Sequence, residues 1–222
     1  MSKLHTDATD SILSLTTSET DDILAEMEEQ AEQDDFPTVG HEVGSFLRLC
    51  ARLIDAETVF EFGSGFGYSG YWVAPIVGED GTVVLTEFDE DNLAQARSYF
   101  ERGGYADRAT FEVGDALEAV QHHDGPFDLV LLDHEEERYI DAFEAVREDI
   151  APGGIVIAEN VLYPDVEFTS ADFEAYLHND GDANPVPMLE NVVEYFHHVR
   201  DSPGFETTVI PVGQGLFVSV RT

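Results

Sequence analysis

The stretch TVFEFGSGFGYS, residues 58–69, runs from a β-branched and aromatic strand into a turn with glycine at 63, 65 and 67. A run that is apolar on both faces and ends abruptly in glycines belongs to a buried strand of a parallel sheet, followed by a helix that starts close to the strand end. Working outward, the same kind of run recurs as TVVLTEF (82–88), ATFEV (109–113), FDLVLLD (127–133) and GIVIAEN (154–160), each separated from the next by a helix-length segment. This alternation predicts an α/β fold, a doubly wound, mostly parallel sheet flanked by helices. Near the C-terminus FETTVIP (205–211) and GLFVSVR (215–221) flank Val212-Gly213-Gln214, which predicts an antiparallel hairpin at the sheet edge. Upstream, Ile12, Leu13, Leu15, Ile23, Leu24, Met27 and Ala31 recur at helical spacing, so residues 11–35 read as an amphipathic helical region ended by Phe36-Pro37-Thr38. A second helix is expected from His41 to Ile54, and residues 163–187 read as an irregular insertion over the strand ends. The organisation is a single domain, in which an acidic N-terminal helical region, 1–35, precedes the ligand-binding part, 36–222.

Composition narrows the function. Of 222 residues, 47 are acidic and 10 are Lys or Arg, a net charge of −37, and Lys3 is the sole lysine. Such a chain repels a phosphate backbone, so no nucleic-acid partner is expected. No apolar run reaches membrane-spanning length and the N-terminus has no signal-peptide pattern, so a soluble, cytoplasmic protein with no membrane partner is expected. Acids spread along the whole chain suggest a halophilic protein, since molar salt shortens the screening length to about 3 Å. Cys50, within FLRLCARLI, is expected to be a buried, inert thiol.

The strand ends carry the chemistry. In open α/β sheets ligands bind at the carboxyl ends of the strands. A dinucleotide fingerprint would need glycine three residues after Gly65, where Tyr68 stands. Glu61, at the first strand end, suits a cationic amino-acid portion better than a pyrophosphate. Glu87, ending the second strand, can hold a ribose diol through two hydrogen bonds. Asp115, after the third, can accept from an adenine amine or can simply cap the helix beginning near Ala116. Together these acids describe a nucleoside with a charged, non-phosphate tail, and S-adenosylmethionine fits that description.

The chain resembles the class I S-adenosylmethionine-dependent O-methyltransferases of the catechol and caffeoyl-coenzyme A type from about residue 36 onward. The resemblance rests on Thr38-Val39-x-x-x-x-Gly44, EFGSGFGYS, LTEFDEDNLAQAR, FDLVLLDHEEERY, APGGIVIAENVL and IPVGQGL. It implies a Rossmann-like methyltransferase fold. It further implies that Val39, Glu61, Gly63, Gly65, Tyr68 and Ser69 surround the methionine part of the cofactor and that Glu87 binds the ribose. Asp115 would meet the adenine amine and His134 the adenine ring. Asp133, Glu159 and Asn160 would hold Mg²⁺ or a similar divalent metal, their hard oxygen donors suiting such an ion. The implied partner is a small-molecule methyl acceptor with adjacent hydroxyls, and the possible assembly a homodimer.

Three positions depart from the family pattern. Glu159 stands where Asp is usual, Gln214 where Asp is more frequent, and Glu136 where a catalytic lysine is expected. Either Glu136 or His134 takes the proton, or the acceptor is not a catechol, or the domain binds its cofactor without transferring a methyl group and acts as a sensor or partner-binding module. His122-His123 and His197-His198 are expected to be solvated surface, and Tyr163, Phe168, Phe173 and Tyr176 either wall an aromatic acceptor or pack beneath the insertion.

Overall fold

A computed structural model describes residues 7–162 and 187–222. The expected strands form β1 (Thr58–Phe62), β2 (Thr82–Glu87), β3 (Ala109–Val113), β4 (Phe127–Leu132), β5 (Ile150–Ala158), β6 (Phe205–Ile210) and β7 (Leu216–Arg221). They make a sheet in the order β3-β2-β1-β4-β5-β7-β6. β1 pairs in parallel with both β2 and β4, whereas β7 runs antiparallel between β5 and β6. The chain therefore winds one way from β1 to β3 and the other way from β4 onward, which opens a crevice at the carboxyl ends of β1 and β4.

The sheet separates two apolar cores. Successive side chains of β1 alternate between them, with Val59 packed in the core shared with Leu24, Val43, Trp72 and Leu85. Phe60 and Phe62 pack in the opposite core, with Phe127, Tyr139, Phe143 and Tyr195. This is the period-two geometry of a strand covered on both faces.

The N-terminal region differs from the expectation of one continuous helical stretch. It forms α1 (Asp7–Thr16) and α2 (Asp22–Asp34), because Asp21 caps α2 by accepting from the amides of Ile23 and Leu24 at 3.1 and 2.8 Å. Leu24, Met27 and Ala31 of α2 are buried in the same core as one face of the sheet. On α1, by contrast, Ile12 and Leu15 are 60% and 84% exposed. α3 (Gly40–Leu53) follows, burying Cys50 and thereby raising its thiol pKa to about 11, as an inert thiol requires.

The short helix α4 (Tyr68–Val73) leaves the glycine turn, α5 (Glu90–Gly103) and α6 (Ala116–Ala119) flank β3, and α7 (Tyr139–Val146) and α8 (Pro187–Arg200) cover the other half of the sheet. β5 stops at Ala158, two residues earlier than its sequence pattern suggests, because Asn160 adopts the left-handed φ of 57°. Glu159 and Asn160 thus stand just beyond the strand end. Among the described residues no helix is long and apolar enough to cross a membrane. The insertion at 163–186, with Tyr163, Phe168, Phe173 and Tyr176, lies outside the described residues.

Candidate functional site

A cavity of about 480 Å³ opens at the crevice, between the 36–39 segment, the glycine turn and the ends of β2, β4 and β5. The turn must cross very close to β4. A Cβ on Gly63, whose φ is 81°, would lie 2.3 Å from the carbonyl oxygen of Asp133, so only glycine fits. The adjacent turn is pinned by Glu87, whose Oε2 accepts from the Gly65 amide at 3.1 Å and whose Oε1 accepts from the Asp89 amide at 3.0 Å.

Behind the turn, Glu61 is 1% exposed. Its Oε1 accepts from the Ser69 hydroxyl, and its Oε2 has no hydrogen-bond partner. Burial pushes its carboxyl up to about 8; Ser69 opposes the shift and the charges of Asp133 and Glu87 add to it. A buried carboxyl oxygen without a donor is costly in the free protein and is well placed to receive a cationic group.

Two further expected cofactor contacts also take protein partners. The Asp115 carboxylate caps α6 at the Leu117 amide, 2.8 Å away, and both its oxygens accept from Nη2 of Arg138 at 2.9 and 2.8 Å. Arg138 holds that carboxyl below its ordinary range. The Tyr68 hydroxyl donates to Oε1 of Glu28 on α2 at 2.7 Å, while the Tyr68 ring lines the cavity. His134 stacks on Phe62, with centroids 5.4 Å apart and planes 29° apart, and neither buried ring nitrogen has a partner. Burial brings its pKa down to about 4, so the imidazole is neutral near pH 7 and a weak proton acceptor.

Adjacent ends of β4 and β5 bring Asp133, Glu159 and Asn160 together. The Glu159 amide donates to Leu132 O at 3.0 Å, and the Asn160 side-chain amide lies 3.5 Å from Oδ1 of Asp133. Glu159 is 2% exposed, and the Tyr139 hydroxyl holds its backbone carbonyl at 3.1 Å. Burial raises the pKa values of both Asp133 and Glu159; Glu136 adds to the shift at each, and Asp133 adds to that of Glu159. Glu136 lines the cavity from a short 3-10 turn, Glu136–Arg138. No group of three or more His, Cys, Asp or Glu side chains among the described residues is arranged to hold a metal ion, so Glu136 does not extend the pair into a three-carboxylate cluster.

Sequence reasoning missed several cavity residues. Phe36 was legible only as a helix breaker, yet its ring sits edge-on to Phe66, with centroids 5.1 Å apart, and a Cβ on Gly65 would come within 3.0 Å of it. Val39 is buried beside Phe36 in the same wall. Phe88 and Arg138 also line the cavity; both lie within the motifs that carry the family resemblance, which gave neither a role. His122 is exposed, as expected, whereas His123, His197 and His198 are half-buried. His123 lies 3.1 Å from Glu112, His198 lies 2.6 Å from Glu144, and His197 contacts Arg200 at 3.0 Å, all away from the cavity.

A sequence model of the O-methyltransferase family matches residues 14–222, further toward the N-terminus than the motifs alone reach. A catechol O-methyltransferase from Niastella koreensis is 29% identical over 123 residues, 54% of this chain and 56% of that protein. One from Mycobacterium tuberculosis is 34% identical over 125 residues, 56% of this chain and 57% of that protein. The chain thus spans little more than half the length of these two relatives. A caffeoyl-CoA O-methyltransferase from Petroselinum crispum is 25% identical over 197 residues, covering 83% of this chain and 76% of that protein. The crystal structure of an O-methyltransferase from Bacillus cereus in complex with SAH superposes with a TM-score of 0.80 at 25% identity, covering 97% of each chain.

Proposed function

Because the chain belongs to the O-methyltransferase family, we propose that it transfers a methyl group from S-adenosylmethionine to an oxygen of a small acceptor with adjacent hydroxyls. The observation that carries this reading is Glu61, a buried carboxyl with one oxygen unpartnered behind a glycine turn that Glu87 holds open. The ammonium group of the cofactor would supply the missing donor, and Glu87 retains lone pairs for a ribose. His134 and Phe88 would flank the adenine. Asp115, capped and paired already, would meet the adenine edge only by sharing its oxygens with Arg138.

The donor set at the ends of β4 and β5 fits a divalent metal. Asp133 and Glu159 are carboxylates raised by burial beside a side-chain amide, and a cation would relieve both. Asp133, Glu159 and Asn160 would hold it. The ion would supply Lewis-acid chemistry, lowering the pKa of a phenol on the acceptor. The side chains around it would orient the acceptor, with Phe36 as an aromatic wall, while Glu136 is a lining carboxylate whose charge acts on both members of the ligand pair. Among the described residues acidic lining outweighs basic: Glu87, Asp133, Glu135, Glu136 and Glu159 face one Arg or Lys, Arg138, which is already committed to Asp115. This disfavours a phosphate-bearing acceptor and favours a free catechol or a cationic one. A homodimer burying Ile12 and Leu15 of α1 with Leu49 and Leu53 of α3, which are 51% and 74% exposed, would account for the apolar surface there.

The second reading, a cofactor-binding domain without transfer, is favoured by Glu136, since a carboxylate destabilises a neighbouring phenolate. Calorimetry with S-adenosylmethionine and then Mg²⁺ in molar KCl, followed by a methyl-transfer assay on catechol, separates the two. Cofactor binding with metal-dependent transfer supports the first reading, and cofactor binding with neither metal response nor transfer supports the second. Failure of the wild type to bind the cofactor, or undiminished binding by Glu87→Ala, would overturn the shared premise.

A further inference from the structure

Three elements meet at one carboxylate oxygen. Oε1 of Glu28, on α2, accepts from the Tyr68 hydroxyl at 2.7 Å and lies 3.0 Å from Nδ1 of His41, near the start of α3. The other ring nitrogen of His41 lies 3.2 Å from the carbonyl oxygen of Ser18, in the link between α1 and α2. The imidazole stands edge-on to Trp72 of α4, with centroids 5.1 Å apart. His41 of α3 thus faces the middle of α2 at Glu28 and the link before it at Ser18, a neutral ring donating to one of these two acceptors at a time, while Glu28 ties α2 to the first residue of α4.

The consequence lies in what these elements carry. Tyr68 follows directly on the glycine turn and lines the cavity, and Ser69, which donates to Glu61, is the next residue. Residues 36–39, between α2 and α3, line the same cavity, and the Phe36 ring packs on Gly65 and Phe66 of the glycine turn. One carboxylate thus links the elements that carry both sides of this contact. A carboxylate bonded to a phenol and an imidazole can hold this geometry without an Arg or Lys partner, in a chain where such cations are scarce.

We infer that Glu28 is a positioning residue for the cofactor cavity: through Tyr68 it fixes the glycine turn, and through His41 it fixes the 36–39 wall. This rests on the reading that the cavity takes S-adenosylmethionine. Glu28 does not itself line the cavity and acts through Tyr68.

The test is calorimetric titration of S-adenosylhomocysteine into the wild type, Glu28→Ala, Glu28→Gln and Asp21→Ala, with a melting curve for each. Asp21 also belongs to the α2 region, capping the helix and accepting from the Tyr71 hydroxyl at 3.2 Å, but it does not line the cavity. It controls for loosening α2 in general. Glu28→Ala leaves the Tyr68 hydroxyl without its acceptor and is expected to weaken binding about tenfold. Glu28→Gln keeps an acceptor oxygen and should restore affinity to within about threefold, as should Asp21→Ala despite its lower melting temperature. Equal losses in Glu28→Ala and Asp21→Ala, or wild-type affinity in Glu28→Ala, would overturn the inference and leave the cofactor reading standing. No binding by the wild type would overturn the cofactor reading itself. Should Glu28→Ala fail to fold, Tyr68→Phe removes the same hydrogen bond, and its unchanged affinity would be equally decisive.

Discussion

Arg138 closes on Asp115 through one nitrogen that reaches both carboxylate oxygens, at 2.9 and 2.8 Å, across 23 residues of chain. The pair clamps the segment after β4, which carries Asp133, His134 and Glu136, to the start of α6. Because it is partly exposed, Arg138→Ala should cost only about 1 kcal/mol of stability, whereas Asp115→Ala loses the helix cap as well and should cost about 2 kcal/mol. Urea denaturation checks that order. The rate of methyl transfer should fall more steeply than stability in Arg138→Ala, since the loosened segment holds the site; an unchanged rate would remove Arg138 from it.

Glu61 makes stability depend on pH in an unusual direction. Its folded pKa, about 8, is above the ordinary carboxyl value, so the fold prefers the protonated form. Its contribution is fully present below the unfolded pKa of about 4.3 and is lost as pH rises through the folded value. Relative to Glu61→Gln, the ligand-free wild type should therefore lose on the order of 3 kcal/mol between pH 4.5 and pH 8, then level off. Denaturation of both proteins across that range measures the difference, and parallel curves would contradict it.

Gly44 lies beneath Trp72. A Cβ there would fall 2.2 Å from the indole Nε1 and 2.4 Å from Cδ1 of a fully buried ring that cannot move aside. Gly44→Ala, which would ordinarily favour a helix, should instead destabilise by about 1–3 kcal/mol through overpacking. A melting temperature at or above that of the wild type would show that the ring yields.

If Asp133 and Glu159 hold a metal, chelation with EDTA and the Asp133→Asn substitution should each reduce methyl transfer by about two orders of magnitude or more. Glu159→Asp keeps the charge and shortens the arm by one methylene, so it should retain measurable, metal-dependent transfer. Rates assayed before and after restoring Mg²⁺ decide the matter. Transfer that is indifferent to EDTA would remove the metal from the mechanism.

The net charge of −37 should make the fold salt-dependent. Raising KCl from 0.1 to 2 M should increase the melting temperature by roughly 10 °C, as screening relieves repulsion among the acids. A temperature that stays level or falls would count against adaptation to concentrated salt.

The strands, their parallel order and the glycine turn at Gly63–Gly67 were legible in the sequence because they rest on local properties: side-chain period, branching at Cβ and the steric limits on φ. Asp133 and Glu159 took their expected role from the family resemblance, Glu159 falling within the expected strand, whereas Glu61 and Glu87 were legible from the strand pattern itself. What each acid touches was not. Asp115 meets Arg138, Glu28 meets Tyr68 across 40 residues, and Asn160 turns to Asp133 because β4 and β5 lie side by side. Phe36 joined the cavity wall, and α2 came to brace Tyr68, only once the chain had folded back over the sheet. Such pairings depend on distance through space, which the sheet order and the packing of helices set, and no spacing along the chain encodes it on its own.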